Sequence, residues 1–209
     1  MMLRQLLPEM QAPAIAIQGI CEDSRRVKRG DLFCAVAGEL TDGRDHIEAA
    51  IANGAAAVLG EAPLPKMLNP LVPVIAVEGL GTRLSEIAAR FYGNPSEALS
   101  VFAVTGTNGK TSFTQFLAQA LSSTSVRCGM IGTMGSGVLG ALMEPSLTTP
   151  AAIDVQRKLR EFVDFGCESV VLEASSHGLA QGRLKNVGVG TAVLTNITHD
   201  HLDYHGTFE

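Results

Sequence analysis

Tryptophan is absent and aromatic residues make up only 5% of the chain, so Ala, Val, Leu and Ile must do most of the packing. Charge is also scarce. Charged residues are 18% against 46% hydrophobic, which excludes a disordered tail and leaves enough apolar surface for a core. There is no basic stripe. The densest cationic run, Arg25-Arg26-Val27-Lys28-Arg29, reads as a solvated turn, and a formal net charge of −5 excludes a general nucleic-acid binder. The four cysteines, Cys21, Cys34, Cys128 and Cys167, form no CxxC pair, so neither a zinc site nor a disulfide framework is expected. The N-terminus lacks a charged region followed by an apolar core and cleavage site, and no apolar stretch is long enough to cross a bilayer. A cytoplasmic protein with buried free thiols is the expectation. No repeat and no low-complexity segment interrupts the 209 residues.

What is plentiful is glycine, 22 residues, several at turns between apolar runs. That punctuation favours alternating strands and helices. Strands are predicted at 15–20, 31–36, 56–59 and 72–77, the last with Pro73 marking a sheet edge. Helices are predicted at 46–53, ending at Gly54, and at 82–92, with Leu84, Ile87, Ala88 and Phe91 on one face. These form a small α/β domain over residues 1–97, with 93–97 as linker. A second domain, 98–209, alternates a strand at 100–104, a helix at 112–121 with Phe113, Phe116, Leu117 and Ala120 facing inward, a strand at 126–131, a helix at 151–165 started by Pro150, and strands at 169–172 and 192–194. The fold class is α/β, a small N-terminal α/β domain followed by a mainly parallel P-loop-type sheet. The second domain is expected to be incomplete, since a polar loop at 195–206 should lead into a further helix.

Thr105-Gly106-Thr107-Asn108-Gly109-Lys110-Thr111 follows a strand and opens a helix, the context a phosphate-binding loop needs. Gly106 and Gly109 let backbone N–H groups turn toward a phosphate, and the helix start adds its dipole. Lys110 can reach the terminal phosphates, and the Thr111 hydroxyl can ligate Mg²⁺ or orient its water. Val104 stands where the general P-loop has its first glycine. At the end of another strand, Val171-Leu172-Glu173-Ala174-Ser175-Ser176-His177-Gly178 presents a carboxylate where parallel sheets bind ligands. A third segment, Asn196-Ile197-Thr198-His199-Asp200-His201-Leu202-Asp203-Tyr204-His205-Gly206, holds three of the five histidines. Without cysteines nearby, this cluster and the carboxylates fit Mg²⁺-assisted phosphoryl transfer better than zinc.

Together these motifs resemble the Mur ligase family, and HDHLDYHG is similar to its MurE branch, the UDP-N-acetylmuramoyl-tripeptide synthetases. The resemblance runs collinearly over essentially the whole chain. TGTNGKTS looks like the family's ATP signature, in which the shifted glycine is normal. The resemblance implies ATP binding at Gly106, Thr107, Asn108, Gly109, Lys110, Thr111 and Ser112, with Lys110, Glu173 and His201 catalytic and Thr111, Glu173 and His201 around Mg²⁺. His199 stands where the branch often has Arg, and no role is assigned to it. Asp23-Ser24-Arg25 and the Gly38–Gly43 stretch look like the unit that grips the UDP-sugar. That implies contacts from Glu22, Ser24, Glu39, Leu40 and Thr41, joined by Thr148, Thr149, Ser175, Gln181 and Arg183 from the second domain.

The implied reaction is ATP-dependent amide formation on UDP-MurNAc-L-Ala-D-Glu, with meso-diaminopimelate favoured over L-lysine as the incoming amino acid, in peptidoglycan synthesis. The family also carries a carbamylated lysine and a closing domain that would lie beyond residue 209, so a monomer that binds the UDP-sugar weakly and does not turn over is expected. The competing readings are a small-molecule P-loop kinase, a folylpolyglutamate synthetase, which lacks a unit like 1–97, and a non-catalytic nucleotide-binding module.

Overall fold

A computed structural model describes residues 1–38, 41–66, 70–144 and 147–207. The chain divides into two compact units, Met1–Gly93 and Asn94–Glu209.

The first unit contains α1 (Leu3–Leu6), β1 (Gly19–Cys21), β2 (Asp31–Ala35), α2 (Ile47–Ala52), β3 (Ala57–Glu61), β4 (Val74–Val77) and α3 (Leu80–Phe91). Its four strands are parallel and lie in sequence order. β2 is buried along its whole length, which is why Asp31-Leu32-Phe33-Cys34-Ala35 reads as a near-continuous apolar run. β4 is one of the two edge strands, and Pro73 just before it accepts the Val58 N–H through its carbonyl. The expected strand at 15–20 is divided in two. Its front half pairs with the N-terminus, Leu3 N–H donating to Ile15 O and Ile17 N–H to Met1 O, and only its end enters the sheet. Phe33, Ile47, Ala50 and Val58 form the core between sheet and α2.

The second unit contains β5 (Ser100–Thr105), α4 (Lys110–Ser123), β6 (Cys128–Gly132), β7 (Gly135–Val138), α5 (Ala152–Asp164), β8 (Ser169–Glu173), α6 (Ser176–Ala180), β9 (Thr191–Leu194) and α7 (Leu202–His205). The strand order is β7-β6-β8-β5-β9, parallel except for β7, which returns antiparallel to β6. β7 is glycine-rich, and sequence patterning did not foresee it. Gly135 and Gly137 have positive φ, and a Cβ on either would strike the backbone of residues 141–143.

The inward face of α4 differs from expectation. Thr114 and Ala118 are buried and Leu117 packs on the core, whereas Phe113 is 39% and Phe116 68% exposed. Small residues at i and i+4 let the helix lie close to the sheet, and that close approach turns both phenylalanines outward. Among the described residues no helix is long and apolar enough to cross a membrane.

Candidate nucleotide and substrate sites

The carboxyl ends of β5, β6, β8 and β9 meet at one edge of the second sheet. β5 and β8 pair with Val104 beside Glu173, so the loop after β5 and the acid ending β8 are brought together by register alone. The Glu173 side chain is 1% exposed. Thr111 Oγ1 donates to its Oε2 at 3.0 Å, Thr133 N–H to its Oε1 at 2.9 Å, and Thr133 Oγ1 to Oε2 at 3.2 Å. No Lys, Arg or His pairs with it among the described residues. Gly132 makes the room. A Cβ there would collide with the Glu173 carboxylate.

The loop from Gly106 to Gly109 passes through two positive-φ glycines into α4. Lys110 Nζ donates to the carbonyls of Gly106 at 2.7 Å and Thr107 at 3.1 Å. The N–H groups of Thr107 and Asn108 are engaged by Asn196. Those of Gly109, Lys110, Thr111 and Ser112, at the start of a 14-residue helix, find no protein acceptor among the described residues. Beside the loop lies a cleft of about 410 Å³ lined by Gly106, Lys110, Ser175, Thr198, Asp200 and His201.

His201 sits at φ 51, ahead of α7, and its ring meets that of His177 edge-on at 4.7 Å. His177 also packs on Tyr204 at 4.2 Å. Among the described residues no three His, Cys, Asp or Glu side chains gather into a metal-binding group, so Glu173 and His201 are not a ready-made ligand set. The donors beside the loop nonetheless suit a hard cation: an anionic carboxylate with a threonine hydroxyl bonded to it.

The remaining candidates of this unit form one connected patch. Thr149 is buried, donating to Glu173 O at 2.7 Å and accepting from Ser175 N–H at 2.9 Å. Thr148 Oγ1 lies 3.1 Å from Thr133 Oγ1. Arg183 donates to Thr149 O at 2.6 Å and through Nε to Gln181 Oε1 at 3.0 Å, and Gln181 reaches the Tyr204 hydroxyl at 3.2 Å. Ser175 caps α6 by accepting the Gly178 N–H. Thr148, Thr149, Ser175, Gln181 and Arg183 are thus tied to one another or to Glu173 through Thr133 and Thr149, although residues 148–149 and 175–183 are separate in the chain.

In the first unit a pocket of about 640 Å³ is lined by Glu22, Ser24, Cys34, Thr41, Gly43 and His46 among others. Ser24 is buried at its rim, at the start of a short 3-10 turn. Asp23 caps that turn and grips Arg25 through two nitrogens, Nε at 2.9 Å and a terminal nitrogen at 2.8 Å. The guanidinium bonds hold the Asp23 carboxyl down to about 2. Burial pushes the Cys34 thiol far above its ordinary range, so it is an inert wall of the pocket. Glu39 and Leu40, expected to contact substrate, lie outside the described residues.

Sequence reasoning overlooked Thr133, Gly132, His177 and the roles of Thr195 and Asn196. Asn196 stands in the histidine-rich segment, but nothing in its sequence neighbourhood says that it faces a loop 88 residues earlier.

A glycine loop opening a helix at the carboxyl edge of a mainly parallel sheet, with a buried acid bonded to its threonine, defines the class: an α/β protein with the architecture of nucleotide-binding folds. The family description "Mur ligase middle domain" matches residues 104–209, and "Mur ligase family, catalytic domain" matches 16–92. The chain belongs to the Mur ligase family. It is 49% identical over 210 residues to UDP-N-acetylmuramoyl-L-alanyl-D-glutamate--2,6-diaminopimelate ligase of Pseudomonas aeruginosa, covering 100% of this chain and 43% of that protein. It therefore spans less than half the length of that relative. A solved structure of a ligase with the same name superposes with TM-score 0.81 at 34% identity, covering 99% of this chain and 42% of that one. MurF ligase from Thermotoga maritima in complex with ADP superposes with TM-score 0.65 at 26% identity, covering 94% of this chain and 42% of that one.

Proposed function

We propose that the chain is part of an ATP-dependent ligase that joins meso-diaminopimelate to UDP-MurNAc-L-Ala-D-Glu, with residues 1–97 holding the UDP end and residues 98–209 binding ATP. The observation that carries this reading is Glu173, a buried carboxylate bonded to the hydroxyl of the phosphate-loop threonine. The identity to diaminopimelate ligases along the whole chain supports the same substrate class.

The chemistry follows from the difficulty of the reaction. A carboxylate is a poor electrophile, so the substrate carboxylate oxygen attacks the γ-phosphorus of ATP and ADP leaves. The amine then attacks the acyl phosphate carbon, and inorganic phosphate departs. The first-turn N–H groups of α4 donate to phosphate oxygens, and Lys110 exchanges the loop carbonyls for phosphate and stabilises the transferring charge. Thr111 and Glu173 would hold Mg²⁺, and His201 would be its third protein ligand. Bound there, Mg²⁺ neutralises charge on the transferred phosphoryl group. Ser24, Glu22 and Thr41 line the pocket read as the UDP site. Thr148, Thr149, Ser175, Gln181 and Arg183 receive the muramoyl-dipeptide.

Calorimetry with UDP-MurNAc-L-Ala-D-Glu, and with UDP and ATP as separate titrants, tests the reading. Binding of the UDP-sugar that is lost in Ser24→Ala or Arg183→Ala supports it. A folded chain that binds ATP but no UDP-sugar favours a nucleotide-binding module instead.

A further inference from the structure

The loop expected to wrap a phosphate is itself held from outside. Thr195 Oγ1 donates to Asn108 O at 2.7 Å and to Thr105 O at 3.2 Å. Asn196 O accepts the Thr107 N–H at 2.9 Å. The Asn196 carboxamide meets Asn108 in both senses, accepting its N–H on Oδ1 at 3.1 Å and donating through Nδ2 to its carbonyl at 3.0 Å. Thr198 N–H then donates to Thr107 Oγ1 at 2.9 Å, and that hydroxyl donates back to Thr198 O at 3.2 Å. Gly106 completes the fit, since a Cβ there would strike the Thr195 hydroxyl and would lie 2.8 Å from Asn196 O.

This arrangement divides the loop in two. In its front half, the Thr107 and Asn108 N–H groups that a phosphate nest could use already have acceptors. In its back half, the N–H groups of Gly109, Lys110, Thr111 and Ser112 have none among the described residues. We propose that Asn196 is a positioning residue of the nucleotide site. Its carboxamide fixes the front half of the loop and leaves phosphate recognition to the Gly109–Ser112 amides and Lys110. The proposal rests on the reading that the loop binds ATP. Physically, a glycine-containing loop loses much conformational freedom when it closes on a ligand, and a loop already ordered by Asn196 loses less on binding. The Asn196 carboxamide supplies one donor and one acceptor to the Asn108 backbone. Aspartate keeps the acceptor alone and alanine keeps neither. The segment that holds the loop also leads directly into His201, so loop shape and histidine placement are set by one connection.

The test uses this chain, ADP with MgCl₂ as the calorimetric titrant, and amide hydrogen exchange followed by NMR. Asn196→Ala is expected to weaken ADP binding about 10- to 30-fold, the loss of two ordinary hydrogen bonds' worth of loop order. The Asn108 amide should exchange faster while Thr107, held by a backbone carbonyl, and the β5 and β8 amides keep their protection. Asn196→Asp should leave the Asn108 N–H protected and still weaken ADP binding, which separates loop shaping from a general loss of structure. It also carries the test if the alanine variant does not fold. ADP affinity within twofold of wild type in either variant, or unchanged Asn108 exchange in Asn196→Ala, overturns the proposal. A wild-type chain that takes up no ADP instead removes the nucleotide reading beneath it, while Asn108 exchange still decides whether Asn196 holds the loop.

Discussion

Gly132 is the residue whose replacement reports most directly on how the acid is held. Its backbone is not in the left-handed region, so alanine there adds no backbone strain, only a methyl group. That methyl would sit 2.8 Å from Glu173 Cδ and 2.9 Å from Cγ, closer than carbon atoms tolerate. The carboxylate must move, and in moving it forfeits bonds from Thr133 N–H at 2.9 Å and Thr111 Oγ1 at 3.0 Å. Overpacking costs about 1–3 kcal/mol, and each hydrogen bond to a charged group contributes about 1.5–3 kcal/mol. Since part of the strain relaxes through small shifts of the surrounding side chains, Gly132→Ala should destabilise the second unit by about 2–4 kcal/mol. At roughly 3–5 °C per kcal/mol for a unit of this size, its melting transition should fall by roughly 10 °C. The assay is a double-mutant cycle by thermal denaturation with Glu173→Ala. In the Glu173→Ala background the collision partner is gone, so adding Gly132→Ala should cost under about 1 kcal/mol. An equal cost in both backgrounds would show that the methyl meets something other than Glu173. No cost in the wild-type background would refute the placement of the carboxylate.

Further outcomes follow from the same geometry. Glu173→Gln keeps the shape while removing a buried charge with no cationic partner among the described residues, so stability in urea should hold or rise by about 1–2 kcal/mol. Magnesium-dependent ADP affinity should fall at least about tenfold, and a clear loss of stability would count against this reading. On α4, Phe116→Ser at a 68% exposed position should change stability by no more than about 0.5 kcal/mol, whereas Ala118→Leu should cost about 1–3 kcal/mol by overpacking. The reverse order would restore the phenylalanine face. At low pH, Asp23 contributes through a carboxyl lowered from about 3.9 to about 2. That contribution is complete above the unfolded value and is lost as pH falls through about 2, so the stability gap between wild type and Asp23→Asn should shrink between pH about 4 and 2. Arg25 is largely exposed, so the gap is small and should narrow with added salt.

Much of the fold is legible in the sequence because it is local. Alternating apolar runs, Gly-rich turns and the strand–loop–helix around Gly106–Thr111 follow from residue order, as does an acid closing an apolar strand at Glu173. The helix at 82–92 was readable from its periodicity, and its observed span begins only two residues earlier, at Leu80. What failed to show in the sequence depends on contacts between distant segments. The apolar run 15–20 is divided because the N-terminus competes with the sheet for its hydrogen bonds. The inner face of α4 goes to Thr114 and Ala118, flanked by Leu117 and Leu121, rather than to Phe113 and Phe116, because the sheet it packs on, and not the helix's own periodicity, selects the buried side. Residue order alone therefore specified which chemical groups are present and which end of the sheet they occupy. Tertiary structure alone decided that Glu173 is buried on Thr111 and Thr133, and that Asn196 occupies the Thr107 and Asn108 amides. Strand register and loop crossing bring those atoms within hydrogen-bonding distance across 40 to 90 residues of chain, a separation at which local sequence preference carries no information.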